Sequence, residues 1–379
     1  MQEKLPLCRI ILHGGDFFML QAVNQTGELV PIWKMNLDEI KQKRKERFFC
    51  PACREPLMIK AGLKNTPHFA HHRKSNCNLS GEGSYHENGK KDIYLWLVAQ
   101  GYQVTLEHYF ADIKQRADIF LEMKKKRIAI EYQCARISIQ EMCRRTQGYR
   151  SIGVIPIWIL GANKLQRKGT HSISITSNDQ AFLHQFHHSL PLSIFYYCSN
   201  TKRLIIYQDL IFLTKTKTFG SLHISKLSSL GWRDLFRSRY RNKELFHKYW
   251  QQQKQQWRNR PVPPYQREEM NWRQWLYLHQ LNTQSLPSFI YLPISTQYQM
   301  KSSPWIWQSR LYIDLFLKKE YFTIDQAMHL LRNHYYSSNY FPLIQPSNHP
   351  ISEYLQLLVR IGILKEVSET NYQVNRTTV

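Results

Sequence analysis

Acidic residues are scarce in this sequence of 379 residues. Asp and Glu number 28 against 52 Lys and Arg, which gives a formal net charge of +24 at pH 7. An excess of this size says nothing about the fold, but it favours a polyanionic partner. Nucleic acid is the favoured partner, because no basic helix with a clean apolar face is evident. An anionic membrane surface is the alternative.

Long hydrophobic runs and a cysteine framework are also lacking. The longest apolar runs fall far short of the roughly 18 residues that a membrane span requires. The N-terminus has neither a long hydrophobic region nor a small-residue cleavage site, so stable membrane insertion is not expected. Of the seven Cys, only Cys50 and Cys53 are close together. This spacing argues against a disulfide framework and fits a reducing cytoplasm.

What the chain does contain is enough apolar material for packed cores. Hydrophobic residues make up 42% and aromatic residues 13% of the sequence. A length of 379 residues suggests two or three domains. We place an N-terminal β-hairpin and metal-binding module at 1–80, an α/β core at 81–165, and a mainly helical, basic and aromatic region at 166–379. No internal repeat is evident.

The periodicity of apolar residues predicts the order of elements. Residues 18–34 read as a β-hairpin with its turn at 24–27. An α-β-β-β-α-β series follows, with a helix at 86–99, strands at 103–110, 116–123 and 127–134, a helix at 138–150 and a strand at 154–160. We expect the first three strands to form an antiparallel meander and the last to lie parallel to its neighbour. Beyond 160 the pattern weakens, with strand-like segments near 172–176 and 203–213.

Four soft or borderline donors lie close together in the N-terminal module. Cys50 and Cys53 form a CxxC pair, and His68 and His71 form an HxxH pair after a short intervening segment. Thiolate and imidazole pairs of this kind suit a tetrahedral, structural Zn²⁺. His72 or Cys77 could replace one of the four ligands. The alternative is a CxxC without metal beside unrelated surface histidines.

Two carboxylates fall on the strands predicted to be neighbours. Asp118 lies in RADIFL and Glu131 in IAIEYQC, with Gln133 on the same face as Glu131. Carboxylates and an amide oxygen suit Mg²⁺ or Mn²⁺, which can activate water for phosphodiester hydrolysis. The alternative is a pair of acids on the exposed face of a half-buried sheet.

Both predicted core helices carry basic or polar groups at helical spacing. His86 and Lys90 begin the stripe that buries the first helix, and Arg145 and Tyr149 lie one turn apart on the second. These groups are candidates for contacts with phosphate. For each pair taken alone, a solvated surface is the simpler interpretation.

Together these motifs resemble the CoiA family of bacterial competence proteins. The similarity runs from about Phe18 to Gly161 and includes MLQAVNQTGE, the CPAC and HFAH pairs, GEGSYHENGKKDIYLWL, RADI, IEYQC and the stretch from Arg145 to Tyr149 that leads to IWILG. The resemblance implies the PD-(D/E)XK nuclease-like, restriction-endonuclease-like fold. It also implies that 1–18 is an upstream extension, with Met19 as the true start.

The resemblance further implies a role in natural transformation. Asp118 and Glu131 would be the acidic motif residues, and Gln133 stands where the fold usually has Lys. Lys90 is a candidate to supply the missing positive charge. The implied function is processing of incoming DNA after uptake and before recombination, with recombination or competence proteins as partners. The rival hypotheses are an inactive DNA-binding adaptor and a membrane-surface protein.

The C-terminal region adds a second candidate for DNA contact. Residues 232–260 contain nine Lys or Arg, two acids and seven aromatics. Basic groups interleaved with rings suit single-stranded DNA through phosphate contacts and base stacking. An amphipathic helix with its rings in a core is the alternative. Segments 323–333 and 351–374 resemble the two helices and the wing of a winged-helix unit.

Overall fold

A computed structural model describes residues 19–51, 53–62, 65–71, 83–262, 266–345 and 348–377. The chain divides into two compact units. One contains the described residues up to Leu165 together with Ile194–Ile206 and His223–Arg237, and the other contains the described remainder. No helix in the described ranges is both long and apolar enough to cross a membrane.

The first unit begins with a small five-stranded sheet of order β2-β1-β3-β4-β5. Its strands are β1 (Gln21–Val23), β2 (Leu29–Pro31), β3 (Phe48–Phe49), β4 (Pro56–Gly62) and β5 (Asn65–His71), with helix α1 (Leu37–Lys43) between β2 and β3. The predicted hairpin is present, because β1 pairs antiparallel with β2. Helix α1 starts at a capping box in which Asn36 and Glu39 satisfy each other's backbone N–H groups.

The next elements follow the predicted order, each within two residues of its expected bounds. They are α2 (Ser84–Val98), β6 (Gln103–Phe110), β7 (Gln115–Met123), β8 (Lys126–Gln133), α3 (Ile139–Ser151) and β9 (Val154–Gly161). Strands β6, β7 and β8 form an antiparallel meander, and β9 lies parallel to β8. Helix α3 begins where the Ser138 side chain accepts a hydrogen bond from the Glu141 N–H.

The sheet continues beyond 165, where we ended the core from the sequence. Later strands are β10 (Gln166–Arg167), β11 (Ile173–Ser174), β12 (Ser193–Cys198), β13 (Arg203–Phe212) and β14 (Thr218–Lys226), with helix α4 (Ser177–Gln180) before β12. The large sheet has the order β14-β13-β12-β9-β8-β7-β6, and β12 is parallel to β9. Every residue of β12 is buried, so the strand lacks the alternation that reveals a half-buried strand.

The second unit has its own large apolar core, built around Trp257, Trp272, Trp305 and Trp307. Its remaining elements are α5 (Lys243–Asn259), α6 (Arg267–Leu278), α7 (Pro304–Leu311), β15 (Tyr321–Thr323), α8 (Ile324–Leu330), α9 (Pro350–Arg360), β16 (Leu364–Ser368) and β17 (Asn371–Val374). The last three strands form a sheet of order β15-β17-β16. The segments that we compared with a winged helix therefore form α8, α9 and a β-hairpin.

A close contact between α2 and β8 makes Gly89 a sensitive position. A Cβ atom there would lie 2.0 Å from Cε1 of Tyr132, whose ring is fully buried. We expect Gly89→Ala to destabilise the first unit by about 1–3 kcal/mol, because the helix must move away from the sheet. Chemical denaturation measures this change. Gly83→Ala is the control in the same unit, since no atom lies within 4 Å of the Cβ that it would add, and an equal loss in both variants would contradict the packing argument.

Candidate functional site

The two predicted acids are neighbours in the structure. Pairing of β7 with β8 matches Ile119 with Ile130, and Asp118 and Glu131 occupy the next position along each strand. Both are buried, with 8% and 1% exposure. One Asp118 oxygen, Oδ2, accepts a hydrogen bond of 2.8 Å from the Tyr132 N–H. Asp118 is thus fixed to the backbone of the strand that carries Glu131.

Helix α3 supplies the partners of Glu131. Arg145 Nη2 lies 2.5 Å from Oε1 of Glu131, and the Tyr149 hydroxyl donates to the same oxygen. Burial, together with the nearby Asp118 carboxylate, raises the pKa of Glu131 to about 7 against the lowering effect of Arg145. Removal from water and a second carboxylate both disfavour the charged form, so this acid benefits from a cation.

The first turns of α2 bring a second set of charged groups to Asp118. His86 Nε2 lies 3.4 Å from Asp118 Oδ2, and its Nδ1 lies 3.6 Å from Glu87 Oε1. Lys90 Nζ lies 2.8 Å from Glu87 Oε1 and 2.7 Å from Glu107 Oε1. The Lys90 side chain is fully buried, and its ammonium group is paired with carboxylates inside the protein. Lys90 is consequently badly placed for the phosphate contact that we expected of it.

Three charged residues of this network were not found from the sequence: Glu87, Glu107 and Arg116. Glu107 is opposite Asp118 in the β6–β7 register and has a positive φ of 54°, which is rare outside glycine. Arg116 Nη1 lies 3.8 Å from Glu107 Oε2. The three-residue spacing of Glu87 and Lys90 on a helix was an available signal. No signal in the sequence marked Glu107 as buried, because an acid in a strand of alternating polar and apolar residues normally faces solvent.

Gln133 is the residue that stands in the usual position of Lys. Its side-chain amide donates a hydrogen bond of 3.1 Å to the carbonyl of Ala135. An amide cannot carry positive charge. The guanidinium of Arg145 is the cation that contacts Glu131, and it also lies 5.6 Å from the centre of the Trp158 ring.

A separate group of metal-binding side chains lies in the N-terminal module. One ligand atom each from Cys50, Cys53 and His71 falls within 4.8 Å of the others, and this is the one such cluster of three or more found in the described ranges. Cys53 Sγ is 3.2 Å from His71 Nε2. Burial lowers the pKa of His71, which favours the neutral imidazole that a metal requires. These three donors fit a zinc ion.

The fourth predicted ligand, His68, is not in this cluster. His68 and His71 both lie on β5, and residues three apart on a strand point to opposite faces. His68 is buried, with 1% exposure. An HxxH pair brings both rings to one ion on a helix but not on an extended strand. The two substitutes that we considered, His72 and Cys77, lie outside the described residues.

The basic and aromatic segment 232–260 mostly forms α5. Trp257 is buried against Trp272, Tyr291 and Trp305, and the Trp250 indole donates to the Tyr291 carbonyl. Arg258 donates to three backbone carbonyls, and Lys254 donates to another. These tryptophans pack inside the second unit, and these two cations bind the protein itself. These contacts favour the alternative interpretation, an amphipathic helix with its rings in a core, over base stacking on single-stranded DNA.

Comparison with known proteins gives one consistent result. Family models match the chain as competence protein CoiA, N-terminal domain (32–80), nuclease-like domain (82–240) and C-terminal domain (245–379). The chain is 27% identical over 345 residues to the competence protein CoiA of Bacillus subtilis (strain 168), covering 88% of this chain and 91% of that protein. No solved structure matches it significantly. The nuclease-like match extends to 240 and so includes β12, β13 and β14.

Proposed function

The chain belongs to the CoiA family of competence proteins, and we propose that it is a metal-dependent nuclease that processes DNA during natural transformation. The processing would follow DNA uptake and precede recombination. The observation that carries this proposal is the buried pair Asp118 and Glu131, side by side on adjacent strands of the nuclease-like domain. Buried acids next to each other are costly unless a cation or a proton accompanies them.

We assign the core α2-β6-β7-β8-α3-β9 to the PD-(D/E)XK, restriction-endonuclease-like fold. The support is the element order, the antiparallel meander and the parallel β9. Both acids lie on inner strands of the mixed sheet, between β6 and β9, and both are buried. This burial argues against the interpretation of the acids as ordinary surface groups.

Each residue of the site has a role in this proposal. Asp118 and Glu131 would hold one Mg²⁺ or Mn²⁺, and Gln133 would orient a ligand or water. The ion, when bound, lowers the pKa of water and neutralises charge on phosphate. His86 fixes Asp118 from α2, and Lys90 fixes Glu87 and Glu107. Arg145 and Tyr149 position Glu131 from α3, and Arg145 is the one of the two that can reach the substrate, because Tyr149 is fully buried and not placed for the phosphate contact expected of it.

The proposed partner is DNA, preferentially single-stranded, in the cytoplasm, together with recombination or competence proteins. A net charge of +24 supports a polyanionic partner. The zinc ion proposed for Cys50, Cys53 and His71 would stabilise the N-terminal module rather than act in hydrolysis. The proposed hydrolysis does not use this zinc ion, because the acids lie on other strands, β7 and β8.

An inactive DNA-binding adaptor is the second candidate function. The specific observation in its favour is that Glu131 Oε1 already accepts hydrogen bonds from Arg145 and Tyr149. These two contacts satisfy that oxygen without a metal, and Gln133 cannot supply the charge of the usual Lys. The two candidates differ in one measurable property, which is cleavage.

The deciding experiment incubates purified full-length protein with end-labelled single- and double-stranded DNA. Mg²⁺, Mn²⁺ and EDTA are compared at equal ionic strength. Cleavage that requires a divalent ion and stops in EDTA supports the nuclease. DNA binding without cleavage under any metal supports the adaptor.

Binding to DNA should weaken steeply as salt increases. With six or more phosphate contacts, affinity should fall by about 10³ between 50 and 200 mM salt, because counterions are released on binding. Fluorescence anisotropy with labelled oligonucleotides measures this slope. Replacing Lys243 and Lys248, two exposed residues of α5, with Gln tests whether this helix contacts DNA and leaves its buried rings in place. An unchanged slope in the double variant would mean that α5 is structural only.

A further inference from the structure

We propose that Arg145 supplies the positive charge that Gln133 cannot, and so acts on the DNA phosphate as a catalytic residue. This inference rests on the proposed nuclease function. The acids come from β7 and β8, and the cation would come from α3 rather than from the strand of Glu131.

Among the described residues, the Lys and Arg side chains of the charged network around the acids are Lys90, Arg116 and Arg145, and they differ in exposure. Lys90 has no exposed side-chain surface and lies within 2.8 Å of two carboxylates. Arg116 is 9% exposed and lies 3.8 Å from Glu107. Arg145 is 22% exposed while it contacts Glu131 at 2.5 Å. Of the three, Arg145 combines direct contact with a motif acid and a surface that a ligand can reach.

The hydrogen bonds of Arg145 leave part of its guanidinium available. In the described part of the chain, Nη2 makes all of them, to Glu131 Oε1, the Arg116 carbonyl at 2.9 Å and the Tyr149 hydroxyl. Nε and Nη1 therefore remain as donors. A guanidinium that is anchored through Nη2 can still donate a hydrogen bond from Nε or from Nη1 to a phosphate oxygen, although both of its forked edges include Nη2. A lysine side chain has a single nitrogen, which would have to bind both Glu131 and the phosphate.

The charge would act during a simple hydrolysis. The oxygen of water forms a bond to phosphorus while the bond from phosphorus to one bridging oxygen breaks. One proton of the water passes to solvent, and the leaving oxygen takes up a proton from solvent. Negative charge increases on the phosphate oxygens, and Arg145 stabilises it without giving up its own proton. Gln133 can offer only a neutral amide for this purpose.

Substitution at Arg145 tests the proposal directly. Arg145→Gln should reduce cleavage about a hundredfold or more, the usual effect of losing one such donor. Arg145→Lys, or Gln133→Lys added to Arg145→Gln, should recover at least part of the loss. Arg144→Gln is the matched control, because Arg144 is exposed and pairs with Glu141. Full activity of Arg145→Gln, or a loss that neither lysine relieves, would overturn the proposal.

A second measurement does not depend on cleavage. In EDTA, the logarithm of affinity for single-stranded DNA is plotted against the logarithm of salt concentration. Loss of one phosphate contact should reduce the slope by about 0.7. If Arg145→Gln does not fold because Glu131 is left alone, Glu131→Gln/Arg145→Gln is compared with Glu131→Gln. An unchanged slope overturns the role of Arg145. If the parent never cleaves, the nuclease proposal fails, and the slope alone decides whether Arg145 contacts phosphate.

Discussion

Replacing Asp118 by Asn, or Glu131 by Gln, is expected to reduce DNA cleavage by about three orders of magnitude or more. Each change removes a negative charge with almost no change in shape, so the effect falls on metal binding. In Asp118→Asn the amide oxygen can still accept the 2.8 Å hydrogen bond that the Tyr132 N–H donates to Asp118. A thousandfold loss corresponds to about 4 kcal/mol of transition-state stabilisation. Cleavage rates at saturating Mn²⁺ measure the loss of activity, and melting curves of the same variants measure their stability.

Two controls make this result interpretable. Glu141→Gln changes an exposed acid of α3 that pairs with Arg144, so its cleavage rate should equal that of the parent. Gln133→Ala should have a smaller effect than either acid variant, because it removes a dipole and no charge. Full activity in both acid variants would indicate a contaminating nuclease or a different site. Loss of activity together with loss of the folded state would say nothing about metal binding, so DNA affinity is measured on the same samples.

The core strands were predictable from the sequence because charged or turn-forming residues separate their apolar runs, although β7, β8 and β9 are buried along most of their length. In β6, β7 and β8 the apolar pattern and the charged turn at 124–126 define strand lengths, and the Ser138 cap marks the start of α3. β12 was missed because SIFYYC is apolar throughout and buried on both faces. A short run of this kind has no periodicity that separates a strand from a buried helix. Of the two strands beyond β12, β13 was predicted as a strand-like segment near 203–213 and β14 was not predicted.

The site was predictable only in part, because pairing across elements is not visible in a linear pattern. Asp118, Glu131, Arg145 and Tyr149 lie together as expected from strand register and helical spacing. Lys90 was expected to face phosphate, but Glu107, 17 residues later, pairs with it inside the protein. Glu107 also has a positive φ of 54°, which its residue type does not predict.

Zinc content is the second property with a large expected effect. The purified protein should hold about one Zn²⁺ per chain, bound by Cys50, Cys53 and His71. Cys53→Ser should lose the metal and unfold the N-terminal module, because structural zinc contributes on the order of 10 kcal/mol to small modules. The apolar core of that module is small and is distinct from the core between the large sheet and α3. Elemental analysis and limited proteolysis measure the two effects.

The histidines provide the sharpest control for this prediction. His71→Gln should lose zinc as Cys53→Ser does, whereas His68→Gln should retain it, since His68 lies on the opposite face of β5. Both histidines are buried, so packing losses are comparable, and only the metal content separates them. Because the acids belong to a separate core, zinc-free Cys53→Ser protein should keep strands β6–β9 resistant to protease. Equal loss of zinc in both histidine variants would place His68 at the metal, and zinc-free parent protein, freshly purified without chelator, would remove the metal from the module altogether.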